Sequence, residues 1–268
     1  MKKIGIVGCG NIGSHLAQFI DKELQGKAVV HAVCDVDETK AAALVDRIGS
    51  RPERMTLGGL VGCVDIVIEA ANGETAYRAA QEVIGAKKTL LVMSSGGFID
   101  REHLFGKAES AGAQLYFVSG AIAGLDAVKA AKAAGIDSVE IVTKKPPKGL
   151  AGAPYVTEKK IDLSALKGET VVFSGSAREA IKGFPQNVNV ACTLSYAGIG
   201  LDLTKVTIVT APGMTTNSHK IIVKGPSGEI RTETDNVPSP DNPKTSYLAV
   251  LSAMATLRNI LSSVHVGS

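Results

Sequence analysis

The sequence contains no tryptophan, and aromatic residues make up only 4% of it, so any core must be assembled chiefly from Ala, Val, Ile and Leu. Cysteine is sparse as well. Cys9, Cys34, Cys63 and Cys192 lie far apart, with neither CxxC nor Cys/His spacing, which argues against a zinc site or a disulfide framework and points to a reducing compartment. Runs of like charge are missing: 29 Lys and Arg against 26 Asp and Glu leave a net charge of +3, and no basic run exceeds pairs such as Lys144–Lys145 and Lys159–Lys160. That spread leaves no electrostatic footprint for a nucleic acid. Nor is there a long apolar run at the start. Gly5, Gly8 and Gly10 interrupt the stretch that follows Lys2 and Lys3, so it reads as neither a secretion signal nor a membrane span, and a cytoplasmic location is expected.

What is present is the balance of an ordinary globular protein, with 45% hydrophobic and 21% charged residues over 268 positions, enough for two modest domains. From Lys3 to about Val118, short β-branched runs alternate with stretches of helical period, the mark of repeated βαβ units on a parallel sheet. Strands are expected at Ile4–Val7, Val29–Cys34, Asp65–Glu69, Thr89–Met93 and Gln114–Val118. Helices are expected near Asn11–Leu24, Glu38–Ile48, Glu74–Ile84 and Asp100–Ala111. Each strand is nearly continuous in apolar character, as it must be where helices cover both faces of a sheet. After Ser119 the rhythm changes to strands at Val139–Thr143, Thr170–Phe173, Val206–Thr210, Lys220–Lys224 and Ile230–Thr234, with helices at Ala177–Lys182 and Asn187–Tyr196. The Gly225 to Gly228 cluster reads as a hairpin loop. The expected architecture is therefore α/β: an N-terminal Rossmann domain, doubly wound around a parallel sheet (residues 1–118), and an α+β domain with a largely antiparallel sheet (119–240). A proline-bearing linker over Asn236–Pro243 leads to a last helix, Thr245–Leu261, within a segment (241–268) expected to return to the first domain. Tyr247, Leu248, Leu251, Met254, Ala255, Leu257 and Leu261 supply that helix with one apolar face.

The strongest chemical signal is Gly8-Cys9-Gly10-Asn11-Ile12-Gly13, set between an apolar strand and a helix. Gly8 permits a sharp turn, Gly10 leaves the backbone N–H groups open to a pyrophosphate, and Gly13 lets helix and strand approach closely. The helix N-terminus adds unpaired donors and partial positive charge. Asp35 lies 22 positions beyond Gly13, at the end of the second strand, close to the spacing of about 20 for the carboxylate that binds the adenosine ribose diol. A carboxylate there repels a 2′-phosphate and favours NAD over NADP, although acceptance of both is compatible with the pattern. Asp37 is the competing ribose ligand. Cys9 needs only to be small, and no catalytic role is given to it. Ser94-Ser95-Gly96-Gly97 sits at the carboxyl edge of the sheet and reads either as a contact to the nicotinamide ribose or as a plain loop.

Several motifs together resemble the L-aspartate dehydrogenase family over essentially the whole chain. They are GCGNIG at the start, Ser119-Gly120-Ala121-Ile122-Ala123-Gly124-Leu125-Asp126, Asn187-Val188-Asn189-Val190-Ala191, the stretch from Pro212-Gly213 to Asn217-Ser218-His219, and Asn242-Pro243-Lys244-Thr245-Ser246. The resemblance implies oxidation of L-aspartate with NAD or NADP to iminoaspartate, which hydrolyses to oxaloacetate and ammonia or feeds NAD biosynthesis. It also implies a catalytic role for His219, cofactor contacts from Ala123 and Asn189 beside Gly8, Gly10, Asn11, Ile12, Gly13 and Asp35, and a homodimer; a metal is not implied. The chemistry itself asks for such a histidine, because hydride leaves the α-carbon readily only when the substrate nitrogen is neutral, and an imidazole takes and returns protons near neutral pH. A substrate with two carboxylates needs cationic or hydroxyl donors. Thr215, Thr216, Asn217, Ser218, Lys144 and Lys145 are the candidates, in an active site expected in an interdomain cleft. Two other readings stay open: a related reductase of the homoserine dehydrogenase or dihydrodipicolinate reductase kind, and a non-catalytic NAD(H) sensor.

Overall fold

The computed structural model describes residues 1–185, 189–240 and 242–267. The chain separates into two compact units, one made of Met1–Val118 with Val250–His265 and the other centred on Ser119–Ala249. In the first, the chain runs β1 (Lys2–Val7), α1 (Asn11–Glu23), β2 (Ala28–Cys34), α2 (Glu38–Arg47), β3 (Glu53–Arg54), α3 (Leu57–Cys63), β4 (Ile66–Glu69), α4 (Gly73–Gly85), β5 (Thr89–Val92), a 3₁₀ turn (Ser95–Phe98), α5 (His103–Ala111) and β6 (Gln114–Phe117). All strand pairs are parallel and the order is β3-β2-β1-β4-β5-β6. This is the doubly wound order, in which the chain reverses direction across the sheet between β1 and β4.

Helical period decides which face each helix buries. In α1 the buried positions are Gly13, Leu16, Ala17 and Ile20, a stripe of three- and four-residue steps. They pack on Ile4, Ile6, Val30, Val33, Ile68 and Leu91, joined by Ala253 and Leu257 from the last helix. Truncating one such Leu or Ile to Ala costs about 2–5 kcal/mol.

The second unit contains α6 (Leu125–Lys132), β7 (Ser138–Lys144), α7 (Pro147–Leu150), α8 (Pro154–Glu158), β8 (Thr170–Ser176), α9 (Ala177–Gly183), α10 (Asn189–Ala197), β9 (Thr204–Thr210), β10 (Asn217–Gly225), β11 (Gly228–Asn236), β12 (Pro238–Ser239) and β13 (Asn242–Ser246); α11 (Tyr247–Ile260) follows. Its main sheet has the order β11-β10-β7-β9-β8. Three of its pairings are antiparallel and β7–β9 is parallel. Alternation sends Val139, Ile141 and Thr143 of β7 and His219, Ile221 and Val223 of β10 to the buried side. The other side of β10 carries the exposed Lys220 and Lys224.

Several elements depart from expectation for local reasons. Nothing was expected between Ile48 and Asp65, yet β3 and α3 lie there; β3 is two residues long, and α3 holds three glycines in seven residues, a composition that conceals a helix. The helix expected from Asp100 starts at His103, because Asp100 is left-handed (φ 59°). The short helices α6, α7 and α8 were not foreseen. The expected linker over 236–243 instead contains β12, paired with β13, and opens on a buried Asn236. The apolar face expected on the last helix is offset. Its buried residues are Val250, Ala253 and Leu257, while Leu248, Leu251 and Ala255 face outward. The helix expected from Asn187 is described from Asn189, since Asn187 and Val188 lie outside the described residues.

Candidate active site

The first unit builds a cradle mainly from backbone. Gly8 adopts φ 99°, and a Cβ there would sit 2.6 Å from the Ala70 carbonyl oxygen. A Cβ at Gly13 would overlap the Gly8 carbonyl, whereas one at Gly10 would meet nothing within 4 Å. The turn is thus crowded at its first and third glycines and open at the second, as a site for a pyrophosphate requires. Gly10 is also the N-cap of α1 and makes no side-chain capping bond, so the half-buried Asn11 and Ile12 begin a helix whose end is suited to an anion. Asp35 is fastened to the turn: Cys9 N donates to its Oδ2 at 2.6 Å and Asp37 N to its Oδ1 at 2.8 Å. Asp37 has a different task. Its Oδ1 accepts from Thr39 N and Lys40 N and caps α2, which favours Asp35 over Asp37 for the ribose. The Cys9 thiol is pushed up to about 12, first by burial and then by the neighbouring Asp35 and Cys34. It stays protonated and is no nucleophile.

The second unit builds its site from side chains. His219 is 3% exposed and is paired in register with Thr143 on β7. The two side chains share a hydrogen bond of 3.0 Å between Thr143 Oγ1 and His219 Nδ1. Burial, with the Lys145 charge second, holds the imidazole down at about 3, so it is neutral at pH 7. Lys145 continues the buried side of β7, is 9% exposed, and is lowered by burial to about 8. Its ammonium is therefore still mostly charged at neutral pH, but poorly hydrated.

A cavity of about 810 Å³ lies on this unit, lined by Lys145, Lys148, Ser164, Thr215, Asn217 and others. His219 sits two residues along β10 from Asn217, on the same side of the strand. Of the candidates for gripping substrate, Lys145, Thr215 and Asn217 line the cavity, while Thr216, Ser218 and Lys144 do not. Lys144 points elsewhere, to Glu169 Oε2 at 2.6 Å. Lys148 was not anticipated; it reaches the cavity because Pro146 and Pro147 bend the chain into α7 directly after β7.

The loop that holds Ala123 is tied to β11. Thr234 Oγ1 and Asn236 Nδ2 donate to the Ala121 carbonyl, and Thr232 Oγ1 donates to that of Ala123. Ala123 itself is exposed, and Asn189 opens α10 half-buried. Among the described residues, no cluster of His, Cys, Asp or Glu could hold a metal ion, and no helix is long and apolar enough to cross a membrane.

The strand order, the open glycine turn and the carboxylate fastened beside it define an NAD-binding Rossmann domain of the dehydrogenase type. Residues 8–118 match the family model described as homoserine dehydrogenase, NAD binding domain, and residues 126–260 match that described as aspartate dehydrogenase, C-terminal. The chain is 44% identical to the L-aspartate dehydrogenases of Methanosarcina mazei and Methanosarcina acetivorans, with all of each chain covered. The crystal structure of aspartate dehydrogenase from Thermotoga maritima matches over the full length of both chains, with 30% identity and a TM-score of 0.77. The chain belongs to the L-aspartate dehydrogenase family. The first domain's model is described as that of homoserine dehydrogenase, so it is the second unit that separates the aspartate dehydrogenase reading from the homoserine dehydrogenase one.

Proposed function

We propose that the protein oxidises L-aspartate at its α-carbon with NAD(P), giving iminoaspartate that hydrolyses to oxaloacetate and ammonia. The observation that carries the assignment is a neutral, buried imidazole at His219, which does not itself line the cavity but lies two residues along β10 from its lining residue Asn217 and feels the charge of its lining residue Lys145, in a chain similar throughout to L-aspartate dehydrogenases. When bound, the nicotinamide cofactor supplies the hydride acceptor. Gly8, Gly10, Gly13 and the first turn of α1, with Asn11 and Ile12, hold its pyrophosphate, and Asp35 takes the adenosine ribose and favours NAD. Ala123 and Asn189 are assigned further cofactor contacts by the family resemblance.

In the tautomer that donates the Nδ1 proton to Thr143, Nε2 of His219 carries the lone pair. It takes a proton from the substrate ammonium, so that the amine is neutral when hydride leaves, and then serves the water that opens the imine. Lys145 receives one substrate carboxylate, with Lys148, Thr215 and Asn217 as further donors in the cavity. A carboxylate beside Lys145 offsets the very charge that, after burial, holds His219 down. Substrate binding thus raises the basicity of the imidazole where it is needed.

The outer side of the five-stranded sheet, with the exposed Val171 and Leu203 and a hollow of about 300 Å³ lined in part by Glu140, Lys205 and Ile222, suits pairing with a second copy. Four cysteines, all free, suit a reducing cytoplasm. The deciding experiment is aspartate-dependent reduction of NAD and NADP, compared with homoserine and other amino acids. Turnover should be confined to aspartate, and its absence with aspartate would overturn the proposal. Light scattering on the purified protein tests the dimer, for which a mass of one chain would be the contrary result.

A further inference from the structure

Glu69 ends β4 as the only polar residue in the run Ile66-Val67-Ile68-Glu69, and it is wholly buried. A carboxylate in that position is costly unless donors surround it. Here four do. Ala71 N donates to Oε1 at 2.8 Å and Ser94 Oγ to the same oxygen at 2.9 Å, while Ser94 N and Met93 N donate to Oε2 at 3.0 and 3.3 Å. Burial pushes the pKa of its carboxyl up, and the donors of Ala71, Ser94 and Met93 pull the other way.

These donors are not in one element. Ala71 lies in the turn from β4 to α4, and Met93 and Ser94 lie in the turn that follows β5, where the regular ladder has ended. The same turns are packed backbone to backbone: a Cβ on Gly97 would overlap the Gly73 carbonyl, and one on Gly8 would lie 2.9 Å from Ala71 N. A single carboxylate therefore fastens the turns after β4 and β5 to each other.

In a sheet of order β3-β2-β1-β4-β5-β6, the half formed by β1 to β3 binds one nucleotide of a dinucleotide and the half formed by β4 to β6 binds the other. Asp35 and the glycine turn mark the first half as the adenosine side. We infer that Glu69 is the positioning residue for the nicotinamide half of the cofactor site: it acts through the Ser94–Gly97 turn, which it holds in a shape that accepts the nicotinamide nucleoside. The inference rests on the NAD(P) reading and adds a division of labour between two acidic residues, Asp35 for one half and Glu69 for the other.

The test uses two probes on the intact protein, NADH and ADP, with affinities measured by calorimetry and folding checked by thermal melting. ADP engages only the adenosine half. In Glu69→Gln, which keeps the size but turns one acceptor into a donor facing other donors, NADH should bind about tenfold more weakly while ADP stays within twofold of the parent. Equal weakening of both probes would reduce Glu69 to a general support of the fold, and unchanged NADH affinity in a folded variant would remove the role altogether. Should Glu69→Gln fail to fold, Ser94→Ala decides, since it deletes one of the four bonds and leaves the rest. NADH binding about threefold weaker with ADP unchanged is the expected result, and parental affinity for both overturns the inference. A parent protein that bound neither probe would instead strike at the cofactor reading itself.

Discussion

The two units make their sites by opposite means. In the first, the cofactor cradle exists because side chains are missing: Gly8, Gly10 and Gly13 clear a path for backbone donors, and nothing at Gly10 would obstruct a ligand. In the second, reactive side chains are driven into the interior, where His219 and Lys145 are both pushed away from their ordinary acidity constants by loss of water. A turn of bare backbone can accept the pyrophosphate that all dinucleotides share. A site of buried titratable groups costs the fold stability. The first unit matches the model described as homoserine dehydrogenase, NAD binding domain, and the second that described as aspartate dehydrogenase, C-terminal.

The comparison can be broken most severely at His219. His219→Ala should lower kcat by about a thousandfold, the middle of the range for losing a general base, with NADH affinity within twofold of the parent. Steady-state kinetics and cofactor titration check both halves of that expectation. Lys145→Met comes next. It should raise KM for aspartate about a hundredfold, the scale of one charge-assisted hydrogen bond, and at the same time raise Tm.

The sign of the stability effect follows from the lysine's position. Its folded value of about 8 lies below the ordinary 10.5, so between those limits the unfolded chain holds more protons and stability rises with pH. At pH 7 the buried charge counts in full against the fold, and methionine removes it. A Tm equal to or below the parent's would show that Lys145 is no burden. His219 works in a lower window: with a folded value of about 3 against an ordinary 6.5, it costs stability as pH falls from 6.5 towards 3, because the unfolded chain takes up the proton first. Denaturant titrations across that interval should be flatter for His219→Gln than for the parent.

The smallest effects belong to the backbone-built site. Asp35→Ala should weaken NAD about tenfold, about the loss of one hydrogen bond to a charged group, and improve the relative use of NADP. Asp37→Ala should leave cofactor preference unchanged and only lower Tm, as expected for a helix cap. A switch in preference from Asp37→Ala alone would reverse the assignment of the ribose ligand.

Legibility in the sequence follows the same division. GCGNIG, with a strand before it, a helix after it and Asp35 at the right distance, is a local pattern, and its consequences are local. Spacing does not divide Asp35 from Asp37; the difference between them, one held against the glycine turn and the other capping α2, is visible only in the folded chain. In the second unit, the lysine pair Lys144–Lys145 could not be divided by spacing. Strand alternation sends one to Glu169 and the other inward beside His219, and only the register of β7 against β10 shows which. Glu69 gave no signal beyond a charged residue closing an apolar strand. The displaced face of α11 has a similar origin, because small residues such as Ala253 make close contacts that a count of large apolar side chains overlooks.

One consequence of the glycine turn concerns handling of the protein in air. The thiol at its centre, Cys9, is buried and held in its protonated form, and the Cys34 thiol at the end of β2 is likewise shifted upward by burial and by Asp35. At both positions burial disfavours the thiolate that peroxide or an alkylating agent attacks. Cys9 should therefore survive iodoacetamide and mild oxidants unmodified, which mass spectrometry of the treated protein would check.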